Sequence, residues 1–174
     1  MIKYLFVLAA VLIIAGCEGG GTAAHTSRVS DCDGFDAPAV RLFAVESCDE
    51  MLAWTYDEAT GTLALLNSDV TLNCGAEGAG DVEVVETDGE YKIVEWSRPK
   101  LTANCLCRFD YETTLKNIAP GTISVTVAQH FLEYNVVSGG SRTEDPGEKI
   151  VWSRALDLSQ KSGSFLIKAQ DYCW

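Results

Sequence analysis

The stretch from Asn104 to Val127, NCLCRFDYETTLKNIAPGTISVTV, decides the fold class of this chain. Its first half alternates between an apolar and a mostly charged set of side chains. The apolar set is Cys105, Cys107, Phe109, Tyr111, Thr113 and Leu115, and the other set is Leu106, Arg108, Asp110, Glu112 and Thr114. A period of two is typical of a half-buried β-strand. We therefore predict a strand with two cysteines on its inner face.

A turn and a second alternating run complete this stretch. Ala119-Pro120-Gly121 predicts a change of direction, and Ile123, Val125 and Val127 then repeat the apolar period. We interpret the whole stretch as a hairpin-like pair of strands.

A second hairpin is predicted upstream, where Asp88-Gly89 lies between two alternating runs. This dipeptide is a strong signal for a tight β-hairpin turn. With these two residues at the centre of the turn, Glu83 should face Val94 and Glu95 should face Val82.

The rest of the chain continues the pattern of short strands and turns. Further strands or apolar stretches are predicted over residues 38–47, 51–57, 62–66, 70–74, 131–137, 149–156 and 165–169, with residues 138–148 irregular. No amphipathic helix of useful length is present. The fold class that we predict is all-β, an antiparallel β-sandwich or small barrel of roughly 8–10 short strands stapled by disulfides.

The amino-terminal residues are typical of an export signal. Lys3 supplies a positive charge, and the apolar run over residues 4–14 is too short to span a bilayer comfortably. Ile14-Ala15-Gly16-Cys17 resembles the lipobox of bacterial lipoproteins, whose cysteine sulfur carries a diacylglycerol. The resemblance implies that Cys17 is lipidated, and further acylation, for example by palmitate, would make membrane attachment stable. The alternative is an ordinary secretory signal that leaves Cys17 as a free thiol.

The residues after the cysteine suggest an address and a tether. By the same resemblance, Glu18 is not the aspartate that retains some lipoproteins in the inner membrane. We therefore expect the outer membrane of a two-membraned host, with the domain in the periplasm or at the surface. The Gly-, Ser-, Thr- and Ala-rich composition up to Ser30 predicts a flexible tether, with His25 solvated in it. The expected regions are a signal peptide over residues 1–16, the lipidated cysteine and tether over 17–30, and one β domain over 31–174.

The chain is strongly acidic, with 13 basic and 25 acidic residues. Loss of Lys3 with the signal changes the net charge from −12 to −13. Such a surface repels nucleic acid and anionic headgroups. The expected partners are the membrane, through the lipid anchor, and an envelope protein or polysaccharide, but no nucleic acid. The sequence contains no dinucleotide fingerprint, phosphate-binding glycine loop or H-E-x-x-H motif, so no cofactor or metal is expected.

Six cysteines remain once Cys17 is assigned to lipid. They are Cys32, Cys48, Cys74, Cys105, Cys107 and Cys173. An even count in an exported chain predicts three disulfides, although zinc is an alternative ligand for the C-x-C pair. Residues two apart on a strand lie about 6–7 Å apart, at or beyond the disulfide range. We therefore predict that the C-x-C cysteines pair with Cys74 and Cys173, in either order, and that Cys32 pairs with Cys48.

The cysteine strand also resembles a group of short, uncharacterised bacterial lipoproteins. The matching features are Asn73-Cys74, the Ile93-Val94-Glu95 strand, Cys105-Leu106-Cys107 with the following Asp110, and Pro120-Gly121. The group often has a second cysteine after the asparagine–cysteine pair, where this chain has Gly75. Because the group has no established activity, the resemblance implies a fold and a location only.

Three kinds of candidate chemistry remain in the domain. Asp31-Cys-Asp-Gly-Phe-Asp36 could favour a hard cation, but we interpret it as a solvated turn. His130 should point outward as a surface histidine, and no G-x-S-x-G motif provides a nucleophile. Acid pairs could serve a glycosidase, although a charged solvent face is the simpler interpretation. The candidate pairs are Glu83 with Glu95, and Asp110 with Glu112.

The aromatic residues are the remaining lead for binding. Trp54 and Tyr56 alternate together on one predicted strand and could stack on sugar rings or anchor a protein, unless they fill the core. Trp96, Tyr134, Trp152 and Trp174 are not placed by the pattern.

Three functional hypotheses follow. The first is a non-enzymatic, lipid-anchored interaction or structural module without catalytic residues. The second is a polysaccharide-binding accessory protein or glycoside hydrolase. The third is a disulfide-rich protease inhibitor that uses residues 138–148 as a rigid loop.

Overall fold

The computed structural model describes residues 24–35, 48–76, 78, 80–101, 103–137 and 140–170. The predicted signal peptide, Cys17, the predicted strand over residues 38–47, Cys173 and Trp174 lie outside the described residues. No helix in these ranges is long and apolar enough to cross a membrane.

Eleven strands form in the described residues. They are β1 (His25–Val29), β2 (Glu50–Asp57), β3 (Thr62–Asn73), β4 (Gly80–Thr87), β5 (Glu90–Ser97), β6 (Leu106–Leu115), β7 (Thr122–Phe131), β8 (Glu133–Val137), β9 (Gly140–Glu144), β10 (Lys149–Asp157) and β11 (Ser162–Lys168). Two short 3₁₀ turns, Cys74–Ala76 and Leu158–Gln160, are the helical segments of this part of the chain.

The strands build two sheets that share one core. The first sheet has the order β1-β6-β3-β2-β11 and the second β10-β7-β5-β4, while β8 and β9 form a separate ribbon. Buried side chains from both sheets belong to one hydrophobic cluster, as expected of a β-sandwich. The predicted all-β sandwich is therefore confirmed, and the barrel alternative is not. Because β5 and β7 pair in parallel, the second sheet is mixed and not purely antiparallel.

The Asp-Gly hairpin forms as predicted. Asp88 and Gly89 have φ angles of 52° and 79°, the left-handed values of a type I′ turn. Glu83 lies opposite Val94, and Glu95 opposite Val82, which confirms the predicted register.

The stretch that decides the fold class does not form a hairpin. Its two strands, β6 and β7, lie in different sheets. Both edges of β6 are occupied, by β1 and by β3, so β7 has no edge to join. The connection is fixed elsewhere, because Ile118 N donates to Gly61 O at 2.9 Å and Tyr56 Oη donates to Ile118 O at 2.9 Å.

Three other sequence interpretations need correction. Residues 25–29 are not tether but strand β1, which adds to the sheet beside β6. Residues 62–73 form one strand and not two, with a bulge between Asn67 and Val70 where Asp69 takes a φ of 60°. The bulge shifts the alternation of inward and outward side chains by one residue. In the sequence this shift looks like a break between two strands. Residues 140–144, expected to be irregular, pair with β8 as strand β9.

Candidate functional site

The connection between β5 and β6 covers residues 98–105, and its described residues, 98–101 and 103–105, are held against the end of β3. We call it the stapled loop. Asn73, the last residue of β3, clamps it with both ends of its amide. Asn73 Nδ2 donates to Ala103 O at 2.5 Å, and Oδ1 accepts from Ala103 N at 2.9 Å. The side chain thus makes the pair of hydrogen bonds that a neighbouring strand backbone would make, and it holds the loop without a β-strand.

Gly75 allows the loop backbone to approach closely. A Cβ atom at this position would lie 2.1 Å from Leu101 O, far inside van der Waals contact. The Gly75 N–H also donates to Asn73 Oδ1 at 2.9 Å. A larger residue at position 75 would therefore collide with the backbone of the loop.

One disulfide joins the loop to the end of β3, and a second joins the amino-terminal segment to β6. Cys74 pairs with Cys105 and Cys32 pairs with Cys107, with Cα atoms 5.6 Å and 5.3 Å apart. The expectation that Cys105 and Cys107 take separate partners is confirmed, and Cys74 is one of them.

The remaining predicted pairings are wrong. Cys32 does not pair with Cys48, because β1 and the residues after it run along β6 and bring Cys32 beside Cys107. The second partner in the C-x-C motif is Cys32, bonded to Cys107, where Cys173 was expected. Cys48 is also disulfide-bonded.

The outer side of the loop is apolar and basic. Leu101 and Leu106 are 54% and 55% exposed. A surface depression of about 480 Å³ lies beside Leu106 and is lined by Asn73, Ala103, Asn104, Cys105 and Leu106. Arg98 and Lys100 are exposed at the start of the loop. Leucines beside cations form an unusual surface on so acidic a chain.

Arg98 is oriented by two neighbours. Its guanidinium carbon lies 4.2 Å from the centroid of the Trp96 ring, and its Nη1 lies 3.6 Å from Asp81 Oδ2. The ring of Trp96 stacks on His130 at a centroid distance of 3.9 Å. The cation at the start of the loop therefore rests on a fixed aromatic side chain.

His130 points outward, as expected, but a neighbouring loop covers most of its side chain. It lies on the outer face of β7, as its parity requires, but it is only 15% exposed. His130 Nε2 lies 2.5 Å from Asp145 Oδ1, and this contact is the main reason that the pKa of Asp145 is lowered. The loop before β10 therefore covers the imidazole.

A second polar group lies between the two sheets. Glu50 in β2 and Asn67 in β3 meet Glu95 in β5 and Gln129 in β7. Asn67 Nδ2 donates to Glu50 Oε1 at 3.1 Å and to Glu95 Oε2 at 2.9 Å. Gln129 Nε2 contacts the same two oxygens, at 2.6 Å and 3.4 Å. Two carboxyl groups are therefore bridged by two amides inside the sandwich.

Burial changes the protonation of these acids. It raises the pKa of Glu95 to about 8, against the opposing hydrogen bond from Asn67, and the charge of Glu50 adds to the increase. Burial also raises the pKa of Glu50, while its hydrogen bonds from Asn67 and Gln129 lower it. At pH 7 Glu95 thus keeps its proton, so the cluster avoids placing two charges together in the core.

The predicted acid pairs are not assembled. Glu83 is exposed whereas Glu95 is buried on the opposite face of the hairpin. Asp110 and Glu112 share one face but are buried, not solvated, because Arg28 of β1 and residues 30–35 lie against them. Glu112 bonds to Arg28, and Asp110 accepts from the backbone N–H of Phe35 at 3.1 Å.

Asp110 also contacts the turn over residues 31–35. A Cβ atom on Gly34 would lie 2.8 Å from Asp110 Oδ2, so the turn over residues 31–35 packs directly on this carboxylate. In the described part of the chain, no three His, Cys, Asp or Glu side chains are arranged to hold a metal ion.

Trp54 and Tyr56, the candidate aromatic pair for binding, fill the core instead. Trp54 and Tyr56 are buried, with exposures of 1% and 6%, and they pack in the core of the sandwich. They therefore present no ring to a sugar or a protein.

Sequence reasoning missed the stapled loop and most of the buried cluster. The asparagine–cysteine pair at the end of β3 was the one signal for the loop. Glu50, Asn67 and Gln129 carry no motif, because they meet only when the sheets pack. No family model, curated protein or solved structure matches the chain, so its function has to be argued from its own geometry.

Proposed function

We propose that this protein is a lipid-anchored β-sandwich of the bacterial envelope that binds a protein partner through its stapled loop and performs no catalysis. The observation that carries the proposal is the surface of the loop and the start of β6, where Leu101 and Leu106 are exposed. Two cations, Arg98 and Lys100, are exposed on the same loop. The Asn73 clamp and the Cys74–Cys105 bond fix its backbone, so little conformational entropy is lost on binding.

The position of the loop also suits an anchored module. Ala24 O accepts from Lys116 N at 3.0 Å, and His25 lies opposite Leu115 at the far end of β6. The stapled loop joins the other end, at Leu106. A strand of 10 residues spans about 33 Å. A chain anchored through its amino terminus would therefore display the loop away from the membrane.

A protein partner is favoured over a polysaccharide. Sugar rings are usually held by exposed aromatic side chains, and Trp54 and Tyr56 are buried. The glycosidase alternative has little support, because Glu50 and Glu95 are 5% and 2% exposed and lie between the sheets. The partner surface that fits is apolar with acidic residues around it, matching Leu101, Leu106, Arg98 and Lys100.

Site-specific photo-crosslinking in the envelope tests this proposal. A photoreactive amino acid in place of Leu106 should give a discrete protein adduct. Leu166 on the edge strand β11 is the matched control, because it is equally exposed at 55%. The adduct at position 106 should also weaken when Arg98 and Lys100 are replaced by glutamate. Equal adducts at both positions, or a diffuse polysaccharide adduct at position 106, would overturn the proposal.

A further inference from the structure

The two disulfides at the end of β3 touch each other. Cys107 Sγ, bonded to Cys32, lies 3.2 Å from Cys74 Sγ, which is bonded to Cys105. Thiol–disulfide exchange proceeds by attack of one sulfur on a neighbouring disulfide sulfur. The sulfurs of Cys74 and Cys107, one from each disulfide, are therefore already in contact.

Exposure differs along this chain of sulfurs. Cys105 is exposed, Cys74 and Cys32 are half-buried, and Cys107 is buried. An external thiolate therefore reaches Cys105 more easily than the other three sulfurs.

We propose that these four cysteines form a thiol–disulfide exchange site, in which a dithiol reductant acting at Cys105 transfers the staple from Cys74–Cys105 and Cys32–Cys107 to a single Cys74–Cys107 bond. The reductant thiolate bonds to Cys105 Sγ, and the Cys74–Cys105 bond breaks with Cys74 leaving as a thiolate. Cys74 Sγ then attacks Cys107 Sγ, the Cys32–Cys107 bond breaks, and Cys32 leaves as a thiolate that takes up a proton.

The second thiol of the reductant completes the reaction. This second thiol attacks the reductant's first sulfur, which is bonded to Cys105, and releases Cys105 as a thiol. The reductant is oxidised to a disulfide, and the protein is reduced by two electrons. The products are a Cys74–Cys107 bond and thiols on Cys32 and Cys105. The stapled loop and the segment after β1 lose their covalent links together, while β3 and β6 stay joined. This chemistry is independent of whether the loop binds a partner.

Single-cysteine variants of the full chain separate this relay from simple reduction. In Cys105→Ser the relay needs no reductant, because Cys74 begins as a free thiol. Free thiols are trapped with a maleimide in denaturant at mildly acid pH, so that burial hides none of them, and are located by peptide mapping. Most of the label should be on Cys32, with a Cys74–Cys107 link; label on Cys74 with Cys32–Cys107 intact would overturn the proposal.

The reciprocal variant and the native protein supply two further readouts. In Cys32→Ser, Cys107 should attack Cys74, so most of the label should move to Cys105; label retained on Cys107 would contradict the relay. In the native chain, limiting dithiothreitol should yield Cys32 and Cys105 labelled together. Labelling of Cys74 and Cys105 with an intact Cys32–Cys107 link would overturn the proposal even if neither variant folds.

Discussion

Glu95 has an environment that its place in the sequence does not indicate. It alternates with Trp96 on a hairpin strand, yet its carboxyl group lies between the sheets, bridged to Glu50 by Asn67 and Gln129. Because the pKa of Glu95 is raised to about 8 in the folded protein, its carboxyl group keeps its proton there at neutral pH. In the unfolded chain the same group loses its proton above the ordinary pKa of 4.5. The contribution to stability is therefore fully present below the unfolded pKa and is lost as pH rises towards the folded one.

Replacing this acid should flatten that pH dependence. Between pH 5 and 8 the wild-type free energy of unfolding should fall by up to about 1.4 kcal/mol per pH unit through Glu95. Glu95→Gln has nearly the same shape and no titration, so its slope over this range should be smaller. Denaturant unfolding at several pH values measures the difference.

Glu83→Gln is the matched control for this experiment. Glu83 lies on the partner strand of the same hairpin and is exposed. Its replacement should leave the slope unchanged. Equal slopes for Glu95→Gln and the wild type would show that Glu95 does not keep its proton in the folded state.

At the scale of one element, the stapled loop depends on a single amide. Asn73→Ala removes the two contacts with Ala103 and the acceptor for Gly75 N–H. Each lost hydrogen bond costs about 0.5–1.5 kcal/mol. The two contacts with Ala103 join the loop to β3, so their loss should lower the local opening free energy of the loop by about 1–3 kcal/mol. Hydrogen exchange at the Ala103 amide reports this change directly.

The conservative variant separates the acceptor from the donor. Asn73→Asp keeps an oxygen for the Ala103 and Gly75 N–H groups but loses the donor to Ala103 O. The Ala103 amide should exchange more slowly than in Asn73→Ala and faster than in the wild type. Unchanged exchange in Asn73→Ala would mean that the disulfide alone fixes the loop.

For the whole molecule, β6 organises the fold. It pairs with β1 on one side and β3 on the other, and its inner residues Phe109 and Tyr111 are buried in the shared core. Tyr111 Oη donates to Trp96 O at 3.1 Å, which links the first sheet to the second. Residues 25–29, which were expected to be tether, therefore form a strand of the sheet that β6 organises.

The proposed anchor makes a prediction for the whole protein. Cys17→Ser removes the sulfur that would carry the diacylglycerol, so the chain should leave the membrane fraction or be mis-sorted. Fractionation and metabolic labelling with palmitate measure this outcome. Ser27→Ala, a change on the exposed side of β1, is the control that should keep its membrane partition. Unchanged partition of Cys17→Ser would refute the anchor.

The sequence by itself determined the fold class and several local features. Alternation identified most of the strands, although not β1 and β9, because side chains on a half-buried sheet must alternate between core and solvent. Asp88-Gly89 determined a hairpin and its register, because two left-handed φ angles in succession are available to few residue pairs. Spacing along a strand excluded a bond between Cys105 and Cys107.

The tertiary structure decided which strands and side chains meet. The 116–121 connection looks like a hairpin turn in sequence, but β1 and β3 occupy both edges of β6, so the chain crosses to the other sheet. Cys32 pairs with Cys107, and Glu50 meets Glu95, across separations that no local pattern records. Periodicity reports which face of a strand is buried, but the partner across that face is chosen by the packing of the whole sandwich.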